Sequence, residues 1–430
     1  MTLPASSPDP SSRATGTGGA SAPLPAWPPL KDGVRRFAKT GQKAARILKV
    51  NALGAVRAVP TLRNALHLPR NRMFETVSSS ADGVRIHRVA PEEAYERALP
   101  RMPGETQVHE IFRREHRGIY HPTFVAELNR GRIWCNYGGS VFTRNGHLIP
   151  DLSKDIWGPR LHSALASVRL PSPEWLPGRT LSLVTPEAAG NYHHWMMDLL
   201  PRLGFLERAG FSARDFDHVL VKYRALPFQK ESLRRCGIEE ARIRVVEDDT
   251  HIEAETLVVP SLHLADVRVP PADMRYVRRV FLPQEPRPGT AWRRLYVGRA
   301  DAAYRKVTNA DGLAKLLSKY RFEEVAMSRY SLEEGAKLFS EAAVVMGPNG
   351  SALANLLFAH PECRVIEFFA PGWVVCYNWM IAANLGLDFT ALIGRGDRPP
   401  PGTLPQDLKA DIELDLDQLE DVLRQCVPTS

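Results

Sequence analysis

Along this chain, short apolar runs alternate with longer stretches whose apolar residues recur three and four apart, the pattern of strands separated by helices. A first series predicts strands at 180–185, 218–222, 243–246 and 256–259. Its helices fall at 191–207 and at 227–235, the latter opened by Pro227 and closed by Gly237. Upstream, 131–137 and 140–143 read as a hairpin around Gly138 and Gly139, and 170–178 as a proline-broken connection. Pro283, Pro286, Pro288 and Gly289 then mark a linker. Beyond it the alternation restarts, with strands at 294–297, 322–326, 343–346 and 365–368 and helices at 311–319, 332–341 and 351–358. A proline-rich connector at 394–405 and a helix at 413–424 follow. Strands joined by helices of this length predict parallel sheets with crossovers. The expected fold is α/β, with one domain over 73–283, a second doubly wound domain over 291–395, and 396–430 as connector and terminal helix.

Composition adds limits. A chain of 430 residues exceeds one hydrophobic core. Cys135, Cys236, Cys363, Cys376 and Cys426 are odd in number and scattered, which argues against a disulfide framework or a cysteine-held zinc and for a reducing compartment. No apolar run reaches a membrane span and no signal-peptide pattern opens the chain, so a cytoplasmic, soluble or peripheral protein is expected. The formal charge of +8 is concentrated in residues 1–72, which carry 12 Lys and Arg against 2 Asp. Basicity therefore belongs to an arm, and nothing in the domains suggests a nucleic-acid surface. Residues 1–29, rich in Ser, Pro, Gly and Ala, are expected to be disordered. From 31 to 72 the arm is basic, with Val34, Phe37, Ile47 and Leu48 in a thin helical stripe. It reads either as an interfacial helix on anionic lipid at the inner membrane face or as a solvated linker.

Candidate chemistry centres on 191–203. With Asn191 as N-cap, His194, Asp198 and Arg202 fall at i, i+4 and i+8 along one helix face, beside an apolar stripe of Trp195, Leu199, Leu203 and Leu206. Pro201 predicts a kink or a helical restart. A carboxylate one turn from an imidazole fixes its tautomer and raises its basicity, so His194 and Asp198 form a candidate catalytic pair, with Asn191, His193 and Arg202 along the cleft. In the second domain, a strand runs into Gly347, Pro348, Asn349, Gly350 and Ser351 and then a helix, a turn that lets backbone N–H groups approach an anion. Arg299, Arg305 and Lys306 follow the strand at 294–297, and two cationic loops suit a diphosphate. Glu367, among apolar residues, reads as a ribose-hydroxyl acceptor or as a buried structural acid. No convincing metal-ligand spacing occurs, and no metal or cofactor is expected.

Three stretches, 191–203, 294–309 and 347–358 with 365–367, resemble glycosyltransferase family 61, the group of capsular-polysaccharide and xylan-decorating transferases. The resemblance covers roughly 181–369. It implies two facing Rossmann-like domains of the GT-B kind, an inverting reaction, a nucleotide-sugar donor in the second domain and a glycan acceptor in the first. The chain departs from the family at Asn349, where His is usual, and at Ala310, where Glu is usual. The resulting expectation is an inverting hexosyl- or pentosyltransferase of capsule or exopolysaccharide synthesis. The alternatives are a non-catalytic glycan-binding protein of the same fold and a sugar-nucleotide epimerase.

Overall fold

The computed structural model describes residues 30–70, 83–155, 161–185, 188–263, 268–299, 302–400, 402–403 and 405–427; the disorder expected at 1–29 lies outside them. Two compact units are distinguished, Met1–Leu48 and Lys49–Ser430. The described residues of the first belong to the helix Leu30–Ala58. The second unit holds both large sheets.

The first sheet is mixed. Four parallel strands, in the order Thr250–Pro260, Glu174–Ser182, His218–Val221 and Ile243–Val245, form one half. Thr123–Asn129 and Val84–Ala90 extend it antiparallel, and the hairpin Arg132–Cys135 with Ser140–Phe142 pairs with the start of the strand Thr250–Pro260. The strand expected from residue 180 begins at Glu174, inside the proline-broken segment. Pro177 and Gly178 are tolerated there because the pairing with Ala254 and Thr256 skips register, so the proline need not donate to the ladder.

The second sheet is all parallel, in the order Glu323–Val325, Arg293–Val297, Ala342–Pro348, Arg364–Phe369 and Asp388–Ile393. The helices Ala310–Lys319 and Leu416–Cys426 pack on one face, burying Leu313, Leu317, Leu419 and Leu423 against Val344 and Ile366. On the other face lies a core that both sheets share. Trp195, Leu199 and Phe205 of the first half belong to the same buried cluster as Leu353, Phe358 and Trp379 of the second.

The basic segment 31–72, read as an interfacial helix or a solvated linker, is helical over Leu30–Ala58 and is tied down at its end. Pro60–Ala65 is helical, Leu68 is buried, and Arg57 donates to the carbonyl of Leu165. Leu66, Leu68 and Arg57 supply apolar and hydrogen-bonding contacts that the charge count of the arm conceals.

Candidate active site

The parallel sheet fixes where a ligand meets it. Strand order reverses between Arg293–Val297 and Ala342–Pro348, and such a switch point opens a crevice outside the carboxyl ends of the two strands. Arg299, Tyr304 and Arg305 follow the first of them, and Asn349, Gly350 and Ser351 follow the second. At Gly347 the strands approach so closely that a Cβ would stand 2.5 Å from the Val297 carbonyl oxygen. At Gly350 a Cβ would collide with the Arg299 guanidinium.

Arg305 takes a left-handed backbone (φ 58°), and its side chain is buried between the rings of Tyr304 and Trp373. Its Nη1 donates to Asn349 Oδ1 at 3.3 Å, and Asn349 Nδ2 in turn donates to Glu367 Oε1 at 2.7 Å. Asn378 Nδ2 donates to the same Glu367 oxygen at 2.6 Å. Arg299 binds the carbonyls of Tyr304 and Asn349, at 3.0 and 3.3 Å, which ties the two loops together. Burial, and then the neighbouring charge of Arg299, lower the Arg305 pKa. Burial also pushes Glu367 up to about 7, against the hydrogen bonds from Asn378 and Asn349 and the charge of Arg305.

Across the crevice stands the segment from Asn191. Its carboxamide oxygen caps the helix through His193 N–H at 2.9 Å and accepts from Ser351 Oγ at 3.2 Å, so one residue joins both walls. His194 Nδ1 lies 2.6 Å from Asp198 Oδ2, and both side chains are nearly buried. Asp198 Oδ1 is buried without a hydrogen-bond partner. The His193 ring meets Tyr377 edge-on, centroids 5.4 Å apart. Together Asn191, His193, His194, Tyr304, Arg305, Asn349, Gly350, Ser351, Trp373 and Tyr377 surround a cavity of about 310 Å³.

Five expected site residues are outside the cavity wall: Asp198 and Arg299 bond to His194 and Asn349, which line it, and Arg202, Lys306 and Glu367 take other roles. Arg202 does not line the cavity but is fully buried, donating to the carbonyls of Val184, Ser182 and Pro260 at 3.3, 3.3 and 2.8 Å. Trp195–Leu199 is a π-helical turn, and a restart at Pro201 follows it, so the row through His194 and Asp198 does not continue to Arg202. Burial lowers the Arg202 pKa to about 9, and the charge of Asp198 opposes that shift. Lys306, next to the left-handed Arg305, is exposed; its backbone N–H donates to Asp411 and its side chain does not line the cavity. Glu367, wholly buried, holds Asn349 and Asn378 in place rather than offering its carboxylate to the cavity. Conversely, Tyr304, Trp373, Tyr377 and Asn378 line the cleft without having been anticipated. Their signal was positional, since Trp373 and Tyr377 follow the strand Arg364–Phe369 at the same edge of the sheet. Among the described residues, no group of three or more His, Cys, Asp and Glu is arranged to hold a metal ion.

Fold and cleft together define an α/β protein with a switch-point crevice whose cationic turn faces a histidine–carboxylate pair. Residues 192–366, which carry most of both walls, match the model of the Glycosyltransferase 61 family. The matched family is one of glycosyltransferases. No curated protein matches the chain.

Proposed function

We propose that the protein is an inverting glycosyltransferase that takes a nucleotide-sugar donor at the switch-point crevice and a glycan acceptor at the His194 wall. The two halves then act as facing Rossmann-like domains of the GT-B kind. The observation that carries this reading is the convergence on one cavity of His194, backed by Asp198, with Arg305 and the turn Asn349–Ser351. Arg305 and the backbone at Gly350 and Ser351 receive the donor diphosphate, and Arg299 and Asn349 set the Arg305 fork. An acceptor hydroxyl oxygen forms its bond to the anomeric carbon as the bond from that carbon to the diphosphate oxygen breaks. Its proton passes to His194 Nε2, which carries the lone pair when Nδ1–H donates to Asp198. The electron pair leaves on the nucleoside diphosphate, whose growing charge the guanidinium stabilises. His194 is preferred to Asp198 as the base because the imidazole lines the cavity and the carboxylate faces it from behind.

Glycan assembly of the capsule or exopolysaccharide kind, on the cytoplasmic side and in peripheral membrane contact through 31–72, suits this chemistry. Among the described residues, no helix is long and apolar enough to cross a membrane. Asn349, unusual for the family, favours a second reading, a non-catalytic glycan-binding protein; the intact His194–Asp198 contact supports catalysis.

The test is a panel of nucleotide sugars, each offered with and without oligosaccharide acceptors, with release of free nucleotide measured. Acceptor-dependent release is expected from one donor. Arg305→Ala is expected to weaken nucleotide binding and to lower turnover by about 10². Binding of glycan with no nucleotide affinity in calorimetry would establish the non-catalytic reading instead.

A further inference from the structure

A second polar cavity, of about 640 Å³, lies on the first half, away from the crevice. Its walls are the turn after the helix Pro60–Ala65, the hairpin tip at Arg144–Gly146 and the strand Arg132–Cys135. Four guanidiniums line it, from Arg63, Arg130, Arg132 and Arg144, against the one carboxylate of Glu253. Arg130 takes that carboxylate, its Nε and Nη2 donating to Oε1 at 2.8 and 2.5 Å. The other three have no acid in the cavity wall to themselves.

Arg132 shows what this arrangement costs. Its guanidinium lies over the Phe142 ring, its Nε is buried without an acceptor, and a Cβ on Gly146 would stand 3.1 Å from its Nη2. Burial lowers its pKa, and Arg63 lowers it further, against the pull of Glu253. His67 at the rim responds in the same sense, held down by burial and then by Arg132 and Arg169. Like charges packed this closely, with a buried donor unmet, are relieved by an anion with several acceptor oxygens.

We propose that this cavity is an anion site that binds a phosphate group, supplied either by the headgroup of an anionic lipid or by free phosphate. Guanidinium forks match phosphate oxygens in pairs, and the several acceptor oxygens of a phosphate group serve three guanidiniums better than a single carboxylate does. The sequence favours the lipid source. The chain reaches the cavity from a segment, 31–72, with 11 Lys and Arg against one Asp, the composition that draws a protein to an anionic bilayer. Arg63 and His67, in the cavity wall, are themselves part of that segment.

The experiment uses the full chain and the double variant Arg63→Gln/Arg144→Gln. Arg144→Glu serves as a second variant at an exposed position, and Arg305→Ala as a lesion of the crevice alone. Inorganic phosphate binding is measured by calorimetry, and partition onto vesicles by sedimentation, with phosphatidylcholine alone and with added phosphatidylglycerol. The wild type and Arg305→Ala should bind the anionic vesicles alike. Both cavity variants should bind them about tenfold or more weakly, with unchanged melting. Loss of vesicle binding identifies the lipid headgroup as the ligand source, and loss of phosphate affinity with vesicle binding intact identifies free phosphate. The proposal is overturned if the cavity variants match the wild type in both assays, or if the wild type binds a polyuronate oligosaccharide at this cavity and not phosphate.

Discussion

At the scale of single residues, the part-buried His194 and the fully buried Glu367 have opposite tasks. His194 faces the cavity with Nδ1 fixed by Asp198. As the proposed base, its loss in His194→Ala should lower turnover by about 10² to 10⁴. Asp198→Asn should retain part of the rate, because an amide still contacts the ring but sets it poorly; both are read from initial rates at saturating donor. Turnover of Asp198→Asn at background, with His194→Ala nearly unaffected, would make Asp198 the base. Glu367 works through pH. Its folded pKa, raised from the ordinary 4.5 to about 7 by burial, means that the folded chain holds a proton the unfolded chain has released between those two values. Stability therefore falls as pH rises through that window and levels off above it. A shift of this size corresponds to at most about 3 kcal/mol at 1.36 kcal/mol per unit. Glu367→Gln keeps the acceptor for Asn349 and Asn378 and has no proton to lose. Its urea midpoint should change less between pH 5 and pH 8 than that of the wild type, and equal slopes would refute the protonated carboxyl. The sequence shows Glu367 to be a carboxylate in an apolar run, but not that two amides would consume its oxygen, because Asn378 comes from a helix eleven residues later.

At the scale of elements, the parts with a clean period were legible and the parts packed on all sides were not. The helix Pro227–Arg235 starts and ends where its proline and glycine say it should, and Ala310–Lys319 presents one apolar face. Tyr377–Asn384 has no polar face to set a period, because Trp379, Met380, Ile381 and Ala382 are all buried, and so it escaped notice together with the strand Asp388–Ile393 behind it. The pattern of 191–207 reads as one helix with a break at Pro201. The break is there, but the π turn ahead of it was invisible, because Trp-Met-Met-Asp-Leu carries no marker of an inserted residue. The strand Ala342–Pro348 yields a prediction of its own. Gly347→Ala places a methyl group against the backbone of the neighbouring strand, where no side chain can yield, and overpacking of that kind costs about 1–3 kcal/mol. The variant should unfold at lower denaturant concentration and should also bind nucleotide more weakly, since Asn349 follows directly on the strand. An unchanged midpoint would show that the sheet opens there freely.

At the scale of the molecule, the two sheets are separate in hydrogen bonding and joined in packing. The repeated alternation and the proline-rich stretch at 283–289 made the separation readable. The joining was not, since it depends on which faces meet. Arg278, on the helix just before that stretch, donates to the carbonyls of Leu357 and Ala359 at 2.9 Å each. Trp379 Nε1 donates to the Ala98 carbonyl at 3.0 Å, and Tyr192 meets Asn355 at 2.8 Å. With a core cluster held in common, calorimetry of Lys49–Ser430 should give one cooperative transition rather than two. Two well-resolved transitions would mean that the shared core is weaker than each half alone. The same core changes the meaning of the exposed stretch 287–290. It is a covalent tether between surfaces that already adhere, so a single cut there would leave a nicked particle whose two fragments stay together, with the crevice still spanned by residues from both.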